Sequence, residues 1–345
     1  MFGIVLHGPE TLDTGRFQQI EEILGEADVV MMAGTMGAAS VIDSGLQDRI
    51  IILRHHLVSD AVKELAESCD IVLIVNMGKT VEGSLRFASV VRHRVLPLST
   101  PIVLIDDGFH CVLNPATGGE WMDRIEGFCP KRMEIPEYRD SEVRVLHGVL
   151  PGESIWVDGN VIGKALSHKP RIWRGPEGVL NFDGIEIRPS ALAHVGDFDH
   201  RTAKIRSGKV RRTASKPFSL PCNGGGRAIL IDHQAERAID DRHDVGVAVT
   251  IGDDTTRISG NLFHRFSIPV IGIIDGDEDG ICDEAFIHPG SVVFVVSPGK
   301  DDVIGEMVFK GLFKQGYEIS NPGLEDIERY VRAAASEHLL EEIRY

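Results

Sequence analysis

Four apolar runs in the last third of the chain each lead into aspartate. The runs cover 228–231, 245–251, 269–274 and 292–296. The acids that follow them are Asp232, then Asp253 with Asp254, then Asp275, and finally Asp301 with Asp302. If the runs are parallel strands joined by helices, their carboxyl ends lie on one edge of the sheet, where open α/β folds bind ligands. We therefore expect the aspartates to share one crevice.

The third of these strand ends has the highest density of acid. Its acidic residues are Asp275, Asp277, Glu278, Asp279, Asp283 and Glu284. Two like charges about 4 Å apart repel by roughly 4 kcal/mol near a protein surface, so such a cluster favours a bound cation. Oxygen ligands suit Mg²⁺ or Mn²⁺. The predicted metal ligands are Asp253, Asp254, Asp275, Asp277 and Asp279.

Two known metal-binding patterns resemble the segment that begins at Asp275. The acids match the opening of an EF-hand loop, but Phe286 stands where that loop needs a bidentate glutamate. The D-x-D after an apolar strand is similar to the magnesium-binding strand end of Toprim domains, the catalytic modules of topoisomerases and primases. This chain departs from that pattern because one helix separates its two acidic ends and the first lacks glutamate. The likeness assigns no catalytic residue, and a set of acidic turns in solvent is the alternative.

Composition limits the class of protein. The chain has 345 residues, which fits two or three domains. No apolar run reaches the length of a membrane span. A formal net charge of -16 opposes a role in coating nucleic acid or an anionic membrane. Five scattered cysteines without a CxxC pair indicate reduced thiols rather than disulfides or a zinc site. We expect a cytoplasmic protein.

Short apolar runs alternate with helical stretches in the first third of the chain. The runs are 3–6, 29–32, 50–53, 71–75 and 102–105, and the helical stretches include 17–24, 62–67 and 85–91. This alternation predicts a doubly wound α/β domain over 1–138, with a parallel sheet and right-handed crossovers. The loops after its strands are rich in turn and polar residues, and we expect them to line a second crevice.

One of these loops contains Gly78, Lys79 and Thr80. The phosphate-loop pattern GxxxxGK[ST] fails here because Leu73 occupies the position of its first glycine. A weaker prediction survives, in which the N–H groups at Gly78 and at the following helix start, with Lys79 beside them, hold an anion. A tight turn with an exposed lysine is the alternative.

The middle of the chain has a different pattern. From about 143 to 189, short alternating pieces are separated by Pro-Gly and Asp-Gly turns, which predicts a β-rich insert. With the basic linker that follows, it occupies 139–222 and forms either a structural insert or a lid over a crevice. Residues 200–216 carry seven cations and no acid. They form either a solvated face or a phosphate clamp in which exposed Arg211 and Arg212 bind phosphate oxygens bidentately.

The remaining sequence predicts a smaller α/β domain of Rossmann-like or Toprim-like type over 223–322. The stretch 252–256 lies between a strand and a helix, so Asp254 or Thr255 is placed to cap the helix. Alternatively the free N–H groups there, with Thr255 and Thr256, hold a phosphate. Apolar residues then recur at helical spacing from Leu324 to Ile343, which predicts a helix over 323–345. Its apolar stripe must be buried, and we expect a homodimer.

Seven segments spread along the chain resemble a family of conserved archaeal proteins of unknown function, found chiefly in methanogens. They are HGPETLDTG, AGTMGAASVIDSGL, NMGKT, PGESIWVDGNVIGKA, GKVRRT, GDDTTRISG and IIDGDEDG, in that order. The likeness spans nearly the full length. It implies a cytoplasmic archaeal role in housekeeping or methanogenesis, and it implies no catalytic residue.

Two hypotheses of function follow. The first is a magnesium-dependent enzyme of phosphoryl- or nucleotidyl-transfer type that acts on a phosphorylated or nucleotide-like small molecule, with the aspartates holding the metal. In it, Arg211, Arg212 and Lys79 neutralise or hold phosphate. The second is a non-enzymatic nucleotide- or metal-binding protein of assembly or regulation, linked to archaeal methanogenic metabolism. Metal ligands look alike in both classes, so the sequence leaves the choice open.

Overall fold

A computed structural model gives the architecture of the chain. It describes residues 1–53, 57–115, 119–138, 142–158, 160–209, 211–214, 217–218, 220, 225–232, 244–276, 286–320 and 322–345. The chain divides into two compact units, unit 1 (Met1–Ser215) and unit 2 (Lys216–Tyr345). The first two predicted domains therefore lie largely in one unit. Among the described residues, no helix is long and apolar enough to cross a membrane.

A six-stranded sheet forms the first half of unit 1. Its strands are β1 (Phe2–His7), β2 (Val29–Ala33), β3 (Ile50–Ile52), β4 (Ile71–Asn76), β5 (Ile102–Asp106) and β6 (Phe109–Asn114). The first five run parallel, β6 runs antiparallel to β5, and the order is β3-β2-β1-β4-β5-β6. The order reverses between β1 and β4. The carboxyl ends of these two strands are thus the switch point at which doubly wound folds bind ligands.

Helices cover both faces of this sheet. They are α1 (Glu10–Asp13), α2 (Arg16–Leu24), α3 (Thr35–Asp43), α4 (Val58–Ala66), α5 (Val81–Val95) and α6 (Gly119–Phe128). One hydrophobic cluster joins the sheet to α4 and α5, and another joins its opposite face to α2 and α6. Strands buried on both faces read as continuous apolar runs, which is why the sequence located them. The predicted doubly wound α/β fold is confirmed.

Two small antiparallel sheets make up the rest of unit 1. Their elements are β7 (Val143–Val145), β8 (Ser154–Val157), β9 (Asn160–Ala165), β10 (Arg171–Arg174), β11 (Leu180–Asp183), β12 (Ile185–Ile187), α7 (Pro189–Val195) and β13 (Ile205–Ser207). The strand orders are β11-β10-β7 and β12-β9-β8-β13, around one hydrophobic cluster. The β-rich insert is confirmed. Its last strand comes from the predicted basic linker, so part of that linker belongs to a sheet.

Unit 2 is built on a second six-stranded sheet. Its strands are β14 (Arg227–Asp232), β15 (Val245–Ile251), β16 (Val270–Ile274), β17 (Val292–Val296), β18 (Glu318–Ser320) and β19 (Leu339–Arg344). Strands β14 to β17 lie side by side in chain order and run parallel, while β18 and β19 run antiparallel at the two edges. Within the described residues of unit 2, the helices are α8 (Asp253–His264), α9 (Asp301–Gly311) and α10 (Leu324–Ala335).

The C-terminal segment differs from its prediction. A helix is present over Leu324–Ala335, but Leu339 and Ile343 lie on β19, so the helix prediction is wrong for residues 339–344. Pairing with β17 gives this stretch backbone partners that a local pattern does not reveal. The helix residues Ile327 and Val331 are fully buried in the core of their own unit. The apolar stripe therefore needs no second subunit, and the homodimer stays a prediction.

Candidate functional site

Three aspartates from neighbouring strand ends meet in unit 2. Asp253 begins α8 directly after β15, Asp275 follows β16, and Asp301 begins α9 after β17. One carboxylate oxygen from each residue lies within 4.8 Å of the other two. Parallel strands in chain order bring their carboxyl ends to one edge, and the structure places three of the acidic strand ends there. We call this group the aspartate cluster.

Backbone hydrogen bonds tie the loops of the aspartate cluster together. The Asp253 carboxylate accepts from the backbone N–H groups of Asp275 and Gly276 at 3.0 and 3.1 Å. The Asp275 carboxylate accepts in turn from the backbone N–H of Gly299, in the loop before α9. These bonds fix the carboxylates relative to one another. Asp301 is only 7% exposed, so repulsion between the carboxylates is less screened than in water.

The cluster overlaps in part with the predicted metal ligands. Asp253 and Asp275 belong to it, whereas Asp254 lies one residue further along α8 and outside the group. Asp277 and Asp279 lie outside the described residues. The third member, Asp301, was visible as an acid after the fourth apolar run. Residues 297–300 separate it from the end of β17, and the sequence predicted that it shares the crevice but did not predict it as a metal ligand.

The predicted phosphate ligands of unit 2 are largely buried. Thr255 and Thr256 are 6% and 3% exposed. The Thr256 hydroxyl lies 2.8 Å from that of Thr250 on β15, and both are buried. A Cβ on Gly272 would lie 2.5 Å from the Thr256 methyl group, so this side chain packs directly against β16. Thr256 thus anchors α8 to the sheet, and phosphate binding at this pair stays a prediction.

The loop after β4 is also engaged within the chain. The backbone N–H of Gly78 donates to the Asp106 carboxylate, and the Thr80 hydroxyl caps α5 by accepting from the N–H of Gly83 at 3.0 Å. The ammonium of Lys79 donates to Glu153 at 2.7 Å and to both oxygens of Ser207. The alternative of an exposed lysine is therefore wrong. Anion binding at these three residues stays a prediction.

The two arginines of the predicted phosphate clamp lie in different environments. Arg211 has a side chain only 5% exposed, between the carboxylates of Asp13 and Asp43. The expectation that it is exposed on a loop is wrong, because two buried acids of unit 1 surround it. Arg212 is 36% exposed; its Nε donates to Glu10 at 3.0 Å and its Nη2 to the carbonyl of Met77. The phosphate clamp stays a prediction.

A chain of polar side chains occupies the switch point of unit 1. His7 ends β1, Asn76 ends β4 and Asp106 ends β5, and Asn76 contacts both of the others. Burial lowers the pKa of His7 below its ordinary value. The predicted second crevice included the loops that begin at these three residues, but the sequence did not predict that the three contact one another. The sequence did contain a signal for them, because each of three otherwise apolar strands ends in a polar residue.

A cavity of about 370 Å³ opens at the opposite end of the same sheet. Its lining includes Asp70 before β4 and Pro101 before β5, with Trp121 and Met122 from α6. Open α/β sheets bind ligands at the carboxyl ends of their strands, and this cavity lies at the amino ends of β4 and β5. We therefore place the candidate sites at the aspartate cluster and at the switch point.

Comparison with known proteins agrees with the resemblance seen in the sequence. No solved structure matches the chain. A protein of the methanogen Methanocaldococcus jannaschii, described as uncharacterized, is 33% identical over 331 residues, which covers 90% of this chain and 91% of that protein. A family model described as "uncharacterized protein conserved in archaea" matches residues 4–316. The chain therefore belongs to this archaeal family, DUF2117.

Proposed function

We propose that the chain is a magnesium-dependent enzyme that acts on a phosphorylated or nucleotide-like small molecule. In this proposal Asp253, Asp275 and Asp301 hold the metal, with Mn²⁺ as a substitute for Mg²⁺. The observation that supports it is the approach of three carboxylate oxygens to within 4.8 Å of one another. Asp254, Asp277 and Asp279 remain further predicted ligands.

The chemistry of the aspartate cluster fits a hard divalent cation. Each pair of carboxylates about 4 Å apart repels by roughly 4 kcal/mol near a protein surface, and a cation between them removes that repulsion. Mg²⁺ is usually held by one or two carboxylates together with phosphate oxygens of the substrate. A site with three carboxylates at one edge of a sheet is therefore suited to an ion that is shared with a phosphorylated ligand.

The parts of the chain around the cluster have distinct roles in this proposal. Backbone N–H groups of Asp275 and Gly276 hold the Asp253 carboxylate in place, which preorganises one ligand before the ion arrives. A bound ion would neutralise charge that develops on phosphate oxygens during transfer. The first turn of α8 carries Asp253 and Asp254, where negative charge is favourable to the helix dipole.

Thermal unfolding with and without metal tests the site. Addition of Mg²⁺ or Mn²⁺ to the chelator-treated protein should raise the melting temperature, because a ligand at one hundred times its Kd stabilises by about 2.7 kcal/mol. Asp275→Asn should abolish the rise. Asp302→Asn is the matched control, since Asp302 lies beside Asp301, is exposed and is outside the cluster. If Asp275→Asn responds to metal as the parent does, the metal binds elsewhere.

A measurement of turnover distinguishes the enzyme hypothesis from the alternative of a non-enzymatic assembly or regulatory protein. The full chain is incubated with Mg²⁺ and a nucleoside triphosphate, and release of phosphate or pyrophosphate is measured. The enzyme hypothesis expects release that Asp275→Asn abolishes and Asp302→Asn retains. Metal-dependent stabilisation with no turnover of any phosphorylated compound would favour a protein in which the ion serves assembly or regulation.

A further inference from the structure

The switch point of unit 1 contains a second, independent set of chemically active side chains. His7 and Asn76 are direct partners in the parallel ladder of β1 and β4, at the last position of both strands. These strands are buried on both faces, and polar residues appear where they reach the edge of the sheet. All of these side chains belong to unit 1, whereas the aspartate cluster belongs to unit 2.

Asp106 fixes the orientation of Asn76. The residue is 2% exposed, and its carboxylate accepts from the backbone N–H groups of Gly78 at 3.2 Å and Asp107 at 2.7 Å. A carboxylate held by such donors presents acceptors, so Asn76 must turn its NH₂ group towards it. The same NH₂ group lies 3.2 Å from the hydroxyl of Ser84. Both donors of the amide therefore have partners in a buried environment.

The orientation of Asn76 determines the tautomer of His7. The amide oxygen of Asn76 faces His7 Nδ1 at 2.7 Å and can only accept, so Nδ1 must carry the proton. In the neutral ring, the lone pair then resides on Nε2. Phe87 stacks on the imidazole with a centroid distance of 4.2 Å and an interplanar angle of 4°, which fixes the plane of the ring. Within the described part of the chain, no group donates to Nε2.

A cation, Arg212, bridges the two segments of chain that follow His7 and Asn76. It donates to Glu10, the first residue of α1, and to the Met77 carbonyl directly after β4. Its remaining nitrogen, Nη1, donates to none of the residues that the structure describes. The crevice thus presents a hydrogen-bond acceptor at His7 and a cationic donor at Arg212, each directed by contacts within the chain.

The composition of the loop after β1 narrows the class of ligand. Doubly wound folds that bind dinucleotides place the pyrophosphate on a glycine-rich turn at this position. Here Glu10 begins α1 directly after this turn, and it is a buried acid that would repel a pyrophosphate. Glu10 also neutralises part of the charge of Arg212. A small ligand with one anionic group suits the site better than a dinucleotide.

We propose that the switch point of unit 1 is a binding site for a small oxyanion that also carries a hydroxyl group. Arg212 binds the anionic group, and His7 Nε2 accepts the hydrogen bond of the hydroxyl. Asn76 and Asp106 act as positioning residues that hold the imidazole in the tautomer this requires. A carboxylate and a phosphate monoester share this chemistry, and the test distinguishes them.

Nuclear magnetic resonance of the full chain with isotope-labelled histidine tests the proposal, with the His7 signal assigned by its loss in His7→Gln. At neutral pH the ring nitrogens of His7 should show a protonated Nδ1 and an unprotonated Nε2. Glycolate or glycerol phosphate at millimolar concentration should shift the Nε2 signal, whereas acetate and methyl phosphate, which lack the alcohol group, should shift it less. If glycolate gives the larger shift, the anionic group of the ligand is a carboxylate. If glycerol phosphate gives the larger shift, it is a phosphate monoester.

Variants separate the roles of the residues. Arg212→Met should weaken the binding of the probe that shifts the Nε2 signal by at least about tenfold, and it should leave the tautomer of His7 unchanged. Arg201→Met is the control, because Arg201 is an exposed arginine of the same basic stretch and should leave binding unchanged. Asn76→Ala should convert His7 to a mixture of tautomers. A protonated Nε2 in the parent, or an Nε2 signal that neither hydroxyl-bearing probe shifts, would overturn the proposal.

Discussion

Arg211 donates from Nη1 to the Oδ2 of Asp43 at 2.8 Å, although 168 residues separate the two in the chain. Asp13 accepts from the Nε of the same guanidinium at 2.8 Å. The three side chains are between 5% and 7% exposed. The segment after β13 is thus fixed to α1 and α3 by a buried arginine that is paired with two carboxylates. Buried charges of this kind are tolerated only because each has its partner.

Arg211→Ala should destabilise the protein by about 3 to 5 kcal/mol, because it leaves two buried carboxylates without their cation. The free energy of unfolding in urea measures this loss. Arg201→Ala serves as the control, since its side chain is 67% exposed and its loss should cost no more than about 0.5 kcal/mol. Equal, small losses in both variants would mean that the ion pairs around Arg211 do not form in solution.

Two helical glycines should respond in opposite directions to replacement by alanine. A Cβ on Gly83 of α5 would lie 2.8 Å from the Cα of Gly148, so Gly83→Ala should push the β-rich module away from α5 and cost about 1 to 3 kcal/mol. A Cβ on Gly127 of α6 meets nothing within 4 Å. Gly127→Ala should therefore stabilise by no more than about 0.5 kcal/mol, because Gly127 lies in the last turn of α6 rather than in its middle. Urea unfolding of both variants gives the comparison, and a neutral Gly83→Ala would contradict the close contact.

His7 should make stability depend on pH. Burial lowers its folded-state pKa from 6.5, assisted by Arg206 and opposed by the hydrogen bond to Asn76 and by the charges of Glu10 and Asp106. The unfolded chain then binds more protons. The contribution of neutral His7 to the free energy of unfolding is therefore fully present above about pH 6.5, and it is lost as the pH falls through the folded-state pKa.

The free energy of unfolding, measured at several pH values, should fall less steeply below pH 6.5 in His7→Gln than in the parent. His168→Gln provides a control for the loss of a histidine elsewhere in unit 1. Superimposable profiles for the parent and His7→Gln would contradict the buried, neutral state of His7.

Removal of β19 should destabilise unit 2 rather than change an oligomeric state. Deletion from Leu339 onward uncovers the backbone edge of β17, whose Phe294 is fully buried, and such an edge promotes aggregation. Light scattering of the parent at micromolar concentration measures its mass. A stable, monodisperse deletion variant of half the parent's mass would instead support a homodimer held by this segment.

The sequence predicted those features that depend on local pattern. Buried strands such as β4 and β15 appear as continuous apolar runs, and the position of Asp253 and Asp275 at strand ends follows from the same runs. The burial of Arg211 could not be predicted in this way, because its partners lie far away in the chain. The strand β19 was missed for the same reason, since its pairing with β17 is a long-range contact.

The switch point shows a further limit of prediction from the sequence. A histidine, an asparagine and an aspartate at three strand ends are unremarkable as separate residues. Only the strand order of the sheet places β1 beside β4 and β4 beside β5, and that order is a property of tertiary structure. His7, Asn76 and Asp106 could therefore be recognised as one network only after the topology was known.

The strand order of unit 2 also has a consequence for its synthesis. Strand β18 closes the edge beside β14 and β19 closes the edge beside β17, although both come after all four parallel strands in the chain. A ribosome releases β14 to β17 first, and at that stage both outer strands present unpaired backbone groups. Residues 318–320 and 339–344 then cover the two sides in turn. During translation the nascent sheet is therefore open to wrong partners until its final strand emerges, and a chaperone that shields strand edges would act in that interval.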